Sequence, residues 1–236
     1  MERTIGGKQY WVSIISHARA ENMGKMTRLV GKATWYVGHG EGDDYLIGNC
    51  PVVESGKLCE SRNKALRDAF ERNLPCIQLS DDLKKIELAY KENIYTKVKE
   101  IEFSEAITRM GKSEKIFKLI GVAPTNNAFF WSGHEYAINK FIIGDFIMVR
   151  PSELFFDEGL RLKEDYDYTL QHITTFGGVQ RCDNIMPAFA HRSNKGGAVE
   201  YRDNSREQEA IMYLKTKWGR FIRDNAKRPN EILLNL

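Results

Sequence analysis

Four places in this 236-residue chain put carboxylates side by side, where they repel unless something binds them, and two of them stand next to patterned elements. The first is Ser80-Asp81-Asp82, directly after the short apolar run Cys76-Ile77-Gln78-Leu79. A divalent cation bridging a diphosphate relieves such a pair, because hard cations take oxygen ligands. A plainer reading is an Asp-capped turn, with Asp82 capping a helix from Leu83 onward. Local sequence weighs the two equally. The second place is Glu164-Asp165 within Lys163-Glu164-Asp165-Tyr166-Asp167, just ahead of a helical pattern. A carboxylate there can take the proton of an attacking hydroxyl. Acids in a first helical turn also suit the macrodipole, and alone that reading is the stronger.

Weaker signals follow. In Asn194-Lys195-Gly196-Gly197 the glycines let backbone amides approach an anion and Lys195 adds a point charge, although most such tetrapeptides are turns. His191 stands three residues earlier; a lone histidine is more often a surface or core residue than a metal ligand. Trp131, in Phe129-Phe130-Trp131-Ser132-Gly133-His134, offers a stacking face, with core packing an equal explanation.

Short apolar runs alternating with helical patterns predict an α/β sheet with crossover helices. Tyr10–Ser16 reads as a buried first strand, about Ala20 to Val30 as a helix, and Thr34–Gly38 as a second strand. Ser61 is a candidate N-cap for a helix to about Arg72, with Ala65, Leu66, Ala69 and Phe70 on one face. Strand-like segments appear at Lys115–Val122, Ala128–Trp131 and Phe141–Val149, and a helix at Tyr168–Phe176. Gly177–Tyr201 reads as loop-rich, and a final helix spans about Ser205 to Asp224.

Hydrophobic and charged shares of 42% and 28% are those of an ordinary globular protein. No apolar run approaches the roughly 18 residues of a membrane helix, and the first residues lack a secretory core. These features predict a soluble, cytoplasmic protein that makes no membrane contact. Cys50, Cys59, Cys76 and Cys182 form no C-x-x-C pair, which predicts free thiols. The net charge is only +3, yet residues 191–236 hold ten of the 35 Lys/Arg and six of the 32 Asp/Glu. Such a segment suits a polyanion or, more plainly, a solvated helix face.

The order of these pieces carries more than any one of them. A strand ends in Ser16-His17-Ala18-Arg19; Ser61-Arg62-Asn63 opens a helix leading to Ser80-Asp81-Asp82; Phe156-Asp157-Glu158-Gly159-Leu160 precedes Glu164-Asp165-Tyr166-Asp167; and a late His191 and Lys195-Gly196-Gly197 follow. From about Tyr10 to Tyr201 this arrangement resembles GT-A glycosyltransferases. Within them it is similar to the base J glucosyltransferase and TET-associated glycosyltransferases, whose bacteriophage members glycosylate hydroxymethylated pyrimidines in DNA. The resemblance implies a GT-A fold, Rossmann-like with a mixed central sheet, over residues 1–201, and a basic helical extension over 202–236 packed on the same domain.

It also implies roles. Ser16 and Arg19 would line the nucleotide pocket, and Arg62 and Asn63 would contact base, ribose or sugar. Asp82 would hold Mn²⁺ or Mg²⁺ with His191 as second ligand, Asp81 would contact ribose or sugar, and Lys195 and Gly196 would assist the diphosphate. Ser80 stands where many GT-A enzymes carry a third acid, which puts a two-carboxylate metal site in doubt. Asp165, ionised at an ordinary pKa near 4, would be the general base of an inverting displacement, with Glu164 second. Trp131 would stack on the acceptor, and Arg202 and Arg206, with Lys215, Lys217, Arg220 and Arg223, would hold DNA phosphates. The donor would be a nucleoside diphosphate sugar, most readily UDP-linked, and the acceptor 5-hydroxymethylcytosine or 5-hydroxymethyluracil in DNA. Other readings are a polysaccharide, glycolipid or protein acceptor, a nucleotidyltransferase, or a non-catalytic nucleic-acid-binding module. The nucleotidyltransferase lacks its glycine-rich loop here, and the binding module leaves both acidic clusters unexplained.

Overall fold

The computed structural model describes residues 1–112, 117–190 and 203–236. Along the first half run β1 (Glu2–Ile5), β2 (Lys8–Ile15), α1 (Met23–Val30), β3 (Thr34–Val37), β4 (Val52–Glu54), α2 (Leu58–Phe70), β5 (Cys76–Ser80), β6 (Leu83–Glu92), β7 (Tyr95–Glu100) and α3 (Phe103–Met110). The second half adds β8 (Leu119–Val122), β9 (Tyr136–Ile138), β10 (Phe146–Val149), α4 (Glu164–Phe176), β11 (Gln180–Cys182), β12 (Ile185–Phe189), α5 (Asn204–Trp218), β13 (Ile222–Asp224) and β14 (Ile232–Leu234).

A nine-stranded sheet forms the centre, in the order β4-β3-β2-β5-β10-β8-β11-β9, with β1 folded back on the first half of β2. β2, β3, β4 and β5 are parallel, β10 runs against both its neighbours, and β8 and β11 are parallel. This is the mixed α/β architecture expected. β3 is buried at every residue, and β5 at all but its last, because both faces of the sheet are covered. On one face α1 and α3 bring Met26, Val30, Phe103 and Ile107 onto Val12, Ile14, Ile77 and Leu79, joined by Ile86 and Ile185 of a second sheet, β12-β6-β7. On the other, α2 and α4 bring Ala65, Leu66 and Tyr168 onto Ile15, Cys76 and Ile147. A satellite cluster of Leu160, Leu170, Ile211, Leu214, Ile222 and Ile232 binds α5 and the β13–β14 hairpin to α4.

Several sequence expectations are corrected. α2 starts at Leu58, where the Glu60 carboxylate reaches back to the Lys57 N–H at 2.7 Å, so Ser61 lies inside the helix and is not its cap. Asp82 enters strand β6, which removes the helix-cap reading of that residue. Residues 128–130 form a 3₁₀ turn capped by the Asn127 side chain, not a strand. The stretch read as loop contains β11 and β12, and the last helix stops at Trp218. All four cysteines are free. Among the described residues no helix is long and apolar enough to cross a membrane.

Candidate functional site

After β2 the chain builds β3 and β4 on one side, then crosses to add β5 on the other. The carboxyl ends of β2 and β5 therefore flank the point where strand order reverses, and open α/β sheets bind ligands in the crevice there. Ser16 leaves β2 and Asp81 leaves β5, and the Ser16 hydroxyl donates to Asp81 Oδ2. Arg19 Nη1 donates to Asp81 Oδ1 at 3.0 Å. Tyr45, which no motif singled out, completes the group: its hydroxyl lies 2.7 Å from Ser16 Oγ and accepts the Arg19 N–H at 2.9 Å. The turn that makes this possible holds Ala18 at φ 53°, a left-handed conformation uncommon outside glycine, and the Glu41 carboxylate accepts the Ala18 N–H at 2.9 Å.

Asp81 and Asp82 are both buried, at 2% and 6% exposure. Burial pushes the Asp81 carboxyl up to about 6, Ser16 and Arg19 pull it down, and Asp82 adds a further upward push. The Asp81 carboxylate is thus committed to Ser16 and Arg19. The Asp82 carbonyl accepts the Ala190 N–H at 3.0 Å, tying the turn to the end of β12.

A second acidic group lies across β5. Ser80 faces away from Asp81, and its hydroxyl donates to Asp145 Oδ1 at 2.9 Å. The adjacent Gly144 N–H points at Asp165 Oδ2, 3.5 Å away, and Gly144 O accepts from Arg62 Nη1 at 2.8 Å. A side chain on Gly144 would place its Cβ 2.7 Å from the Arg62 guanidinium, which would have to move aside. Arg62 also meets Glu164 at 3.4 Å. Glu164, Asp165 and Asp145 thus gather around Arg62. Asp165 does not have the ordinary acidity expected of it. Burial first, then the charges of Glu164 and Asp145, hold its carboxyl well above the usual range, against the pull of Arg62 and the Gly144 amide.

The other sequence candidates fall in different places. Asn63 is spent on structure: its side chain donates to Phe156 O at 2.9 Å and Glu158 at 2.8 Å, and accepts the Phe156 N–H at 2.8 Å. Both ends of its amide are committed, so the structure turns it from a donor contact into a clamp on the Phe156 segment. Arg62, 3% exposed and packed over the Phe156 ring, supports the acidic group and not the Ser16–Asp81 crevice. Trp131 packs on Ala89, Ala123 and Met186 with Lys91 5.7 Å from its ring, and beside it Phe129 and Phe130 are 87% and 70% exposed. Arg206 pairs with Asp203, Lys215 with Asp224, and Lys217 with Asp157 and the buried Asp167, so these cations are engaged on their own domain. His191, Lys195, Gly196 and Arg202 lie outside the described residues.

Beside Asp145 opens a cavity of about 120 Å³, lined by Ala123–Asn126, Ile143, Asp145, Pro187 and Phe189. Phe189 lies opposite Leu83 in register, next to the Asp82 turn, whereas Gly144 and Asp165 border a separate closed space with Ile147, Phe156 and Tyr168. Among the described residues no group of three or more His, Cys, Asp or Glu is arranged to hold a metal. That still fits Mg²⁺ or Mn²⁺ carried by a nucleotide, which needs one or two protein carboxylates and takes its other ligands from phosphate and water. Asp82 supplies one such carboxylate beside Asp81, whose oxygens hold Arg19 and Ser16. Family models and curated proteins were both compared with the chain, and none matches.

Proposed function

We propose that the chain transfers a sugar from a nucleoside diphosphate to a hydroxyl, with inversion, and that the acceptor is a hydroxymethylated pyrimidine in DNA. One observation carries the reading: a buried acid pair at the strand-order reversal is joined through Ser80 and Asp145–Gly144 to a second acid group at the start of α4, at the same end of the sheet. An in-line displacement needs this division, with the leaving group on one side of the sugar and the attacking oxygen on the other. The finer identification of the sheet as GT-A is part of this proposal.

In this reading Asp82 would hold Mn²⁺ or Mg²⁺, and the bound ion would supply positive charge against the departing diphosphate. Arg19 and Ser16 orient Asp81 toward ribose or sugar. The acceptor oxygen forms the new bond to the anomeric carbon as the bond from that carbon to the phosphate oxygen breaks. Asp165 takes the acceptor's proton, and the nucleoside diphosphate leaves with its electron pair. The upward shift of Asp165 makes it a stronger base, and Arg62 with the Gly144 amide steadies its ionised form. The exposed Phe129 and Phe130 beside Trp131 offer stacking faces for a base brought out of the helix.

A second acceptor class has an observation in its favour. Three of the cations assigned to DNA phosphates, Arg206, Lys215 and Lys217, already hold acids of this domain, which favours a polysaccharide or protein acceptor. Two measurements test the proposal. Mn²⁺ with UDP-glucose and other sugar nucleotides should raise the melting temperature, since ligand at 100 times its Kd stabilises by about 2.7 kcal/mol. A donor screen on hydroxymethylated DNA, read by mass spectrometry of the digested nucleosides, should show one hexose or pentose added. No stabilisation by any sugar nucleotide rejects the transferase. Stabilisation with no DNA product moves the acceptor to the second class.

A further inference from the structure

The cavity beside Asp145 is built for a small polyhydroxylated ring. Its lining mixes polar Asp145, Thr125 and Asn126 with apolar Pro124, Ile143, Pro187 and Phe189. At roughly 10–15 Å³ for each water-sized occupant, its volume of about 120 Å³ takes on the order of ten heavy atoms, the scale of one monosaccharide. A pyranose has that character: hydroxyls around the edge and C–H faces that pack on proline and phenyl rings.

We infer that this cavity is the subsite for the transferred sugar, and that Asp145, with Asn126, selects the sugar by accepting and sharing its hydroxyl hydrogens. The inference rests on the sugar-transfer reading and names a residue that reading does not use. Two features fix Asp145 in place. Its backbone carbonyl accepts the Ser80 N–H at 2.8 Å, and Ser80 Oγ donates to its carboxylate at 2.9 Å. Ser80 is the residue before Asp81, so the side chain that reads the sugar is fastened to the turn that holds the nucleotide. A carboxylate is the strictest reader of a hydroxyl, since it accepts only, and each such bond to a charged group discriminates strongly against a sugar lacking it.

The test uses the full chain with Mn²⁺ and a panel of nucleoside diphosphates, each alone and as its glucose and galactose conjugate, titrated by calorimetry. Asp145→Ala and Asp145→Asn should bind the bare nucleoside diphosphate within about twofold of wild type. They should lose about tenfold or more of the extra affinity conferred by the preferred sugar, and most of the glucose-to-galactose discrimination. Asn126→Ala, on an exposed loop that folding tolerates, should lose discrimination in the same direction by a few-fold. The inference is overturned if wild type prefers one conjugate and Asp145→Ala and Asn126→Ala keep that preference. It is equally overturned if bare diphosphate and conjugate weaken together, for then Asp145 only supports the turn. If wild type binds none of the diphosphates, the transferase reading fails first and takes this inference with it.

Discussion

Protonation of His172 should weaken the fold as the pH falls from 7 toward 5. This histidine is fully buried on α4; its Nδ1 lies 2.9 Å from Tyr168 O, its Nε2 has no hydrogen-bond partner among the described residues, and its ring packs on Tyr168 and Phe176. Burial lowers its pKa from 6.5 to about 4, so the neutral form with a proton on Nδ1 is the one that fits. Between those values the unfolded chain binds a proton that the folded chain refuses, and stability falls as pH falls. Integrated from pH 7 to pH 5, the loss is about 2 kcal/mol, approaching roughly 3 below pH 4. Asp81 and Asp165 titrate with the opposite sign, because raised acids relieve strain when protonated, so the wild-type curve alone mixes these effects. The comparison that isolates His172 is His172→Phe, a ring of similar size for the same aromatic stack. Denaturant unfolding of both proteins at pH 7.5 and pH 5.0 should show the variant gaining about 2 kcal/mol on wild type at the lower pH. A difference that does not change between the two pH values refutes the argument.

Other outcomes follow from the same geometry. Turnover should rise with pH through neutrality, because Asp165 loses its proton late; Asp165→Asn should abolish transfer while Mn²⁺-dependent nucleotide binding persists by calorimetry. Ala18→Gly should raise stability by about 0.5–1 kcal/mol in thermal melts by relieving a left-handed alanine, and loosen the Arg19 turn, seen as weaker nucleotide binding. Lys217→Ala should cost about 1–3 kcal/mol in denaturant unfolding, because buried Asp167 loses one of the donors it shares with Trp218 and Gln171. If Lys217→Ala instead leaves stability unchanged and weakens DNA binding, that lysine serves DNA after all.

Ser16, Arg19 and Asp81 could be read from the sequence as one group because each follows a short apolar strand, and strand ends at a reversal of order converge whatever the loops do. Glu164 and Asp165 were legible for a similar reason, standing at the mouth of a patterned helix. Asp145 was not. It sits in Ile143-Gly144-Asp145-Phe146, which reads as part of one apolar strand, and the only hint is a glycine whose bareness matters because Arg62 fills the space beside it. Tyr45 was hidden in a turn-rich stretch whose aromatic could have faced anywhere. β6 escaped because Lys84, Lys85 and Glu87 interrupt the alternation, and its apolar side shows only once β12 lies beside it. Asn63 entered as a donor contact only through the family resemblance; here its partner comes from far along the chain.

That partner is Phe156, 93 positions away. Two stretches that look like separate signatures are halves of a single joint, and neither half is at rest alone. A nascent chain that has emerged only as far as β10 carries Arg62 in a cavity missing its glutamate, and Asn63 with an amide that nothing meets. Leaving such groups buried and unmatched costs about 1–3 kcal/mol for the amide and more for the guanidinium. The front half of the molecule therefore cannot settle before the back half closes on it. Cutting the gene between them would yield two fragments that must find each other to become ordered, and the acid-bearing helix would be set in place only at that last step.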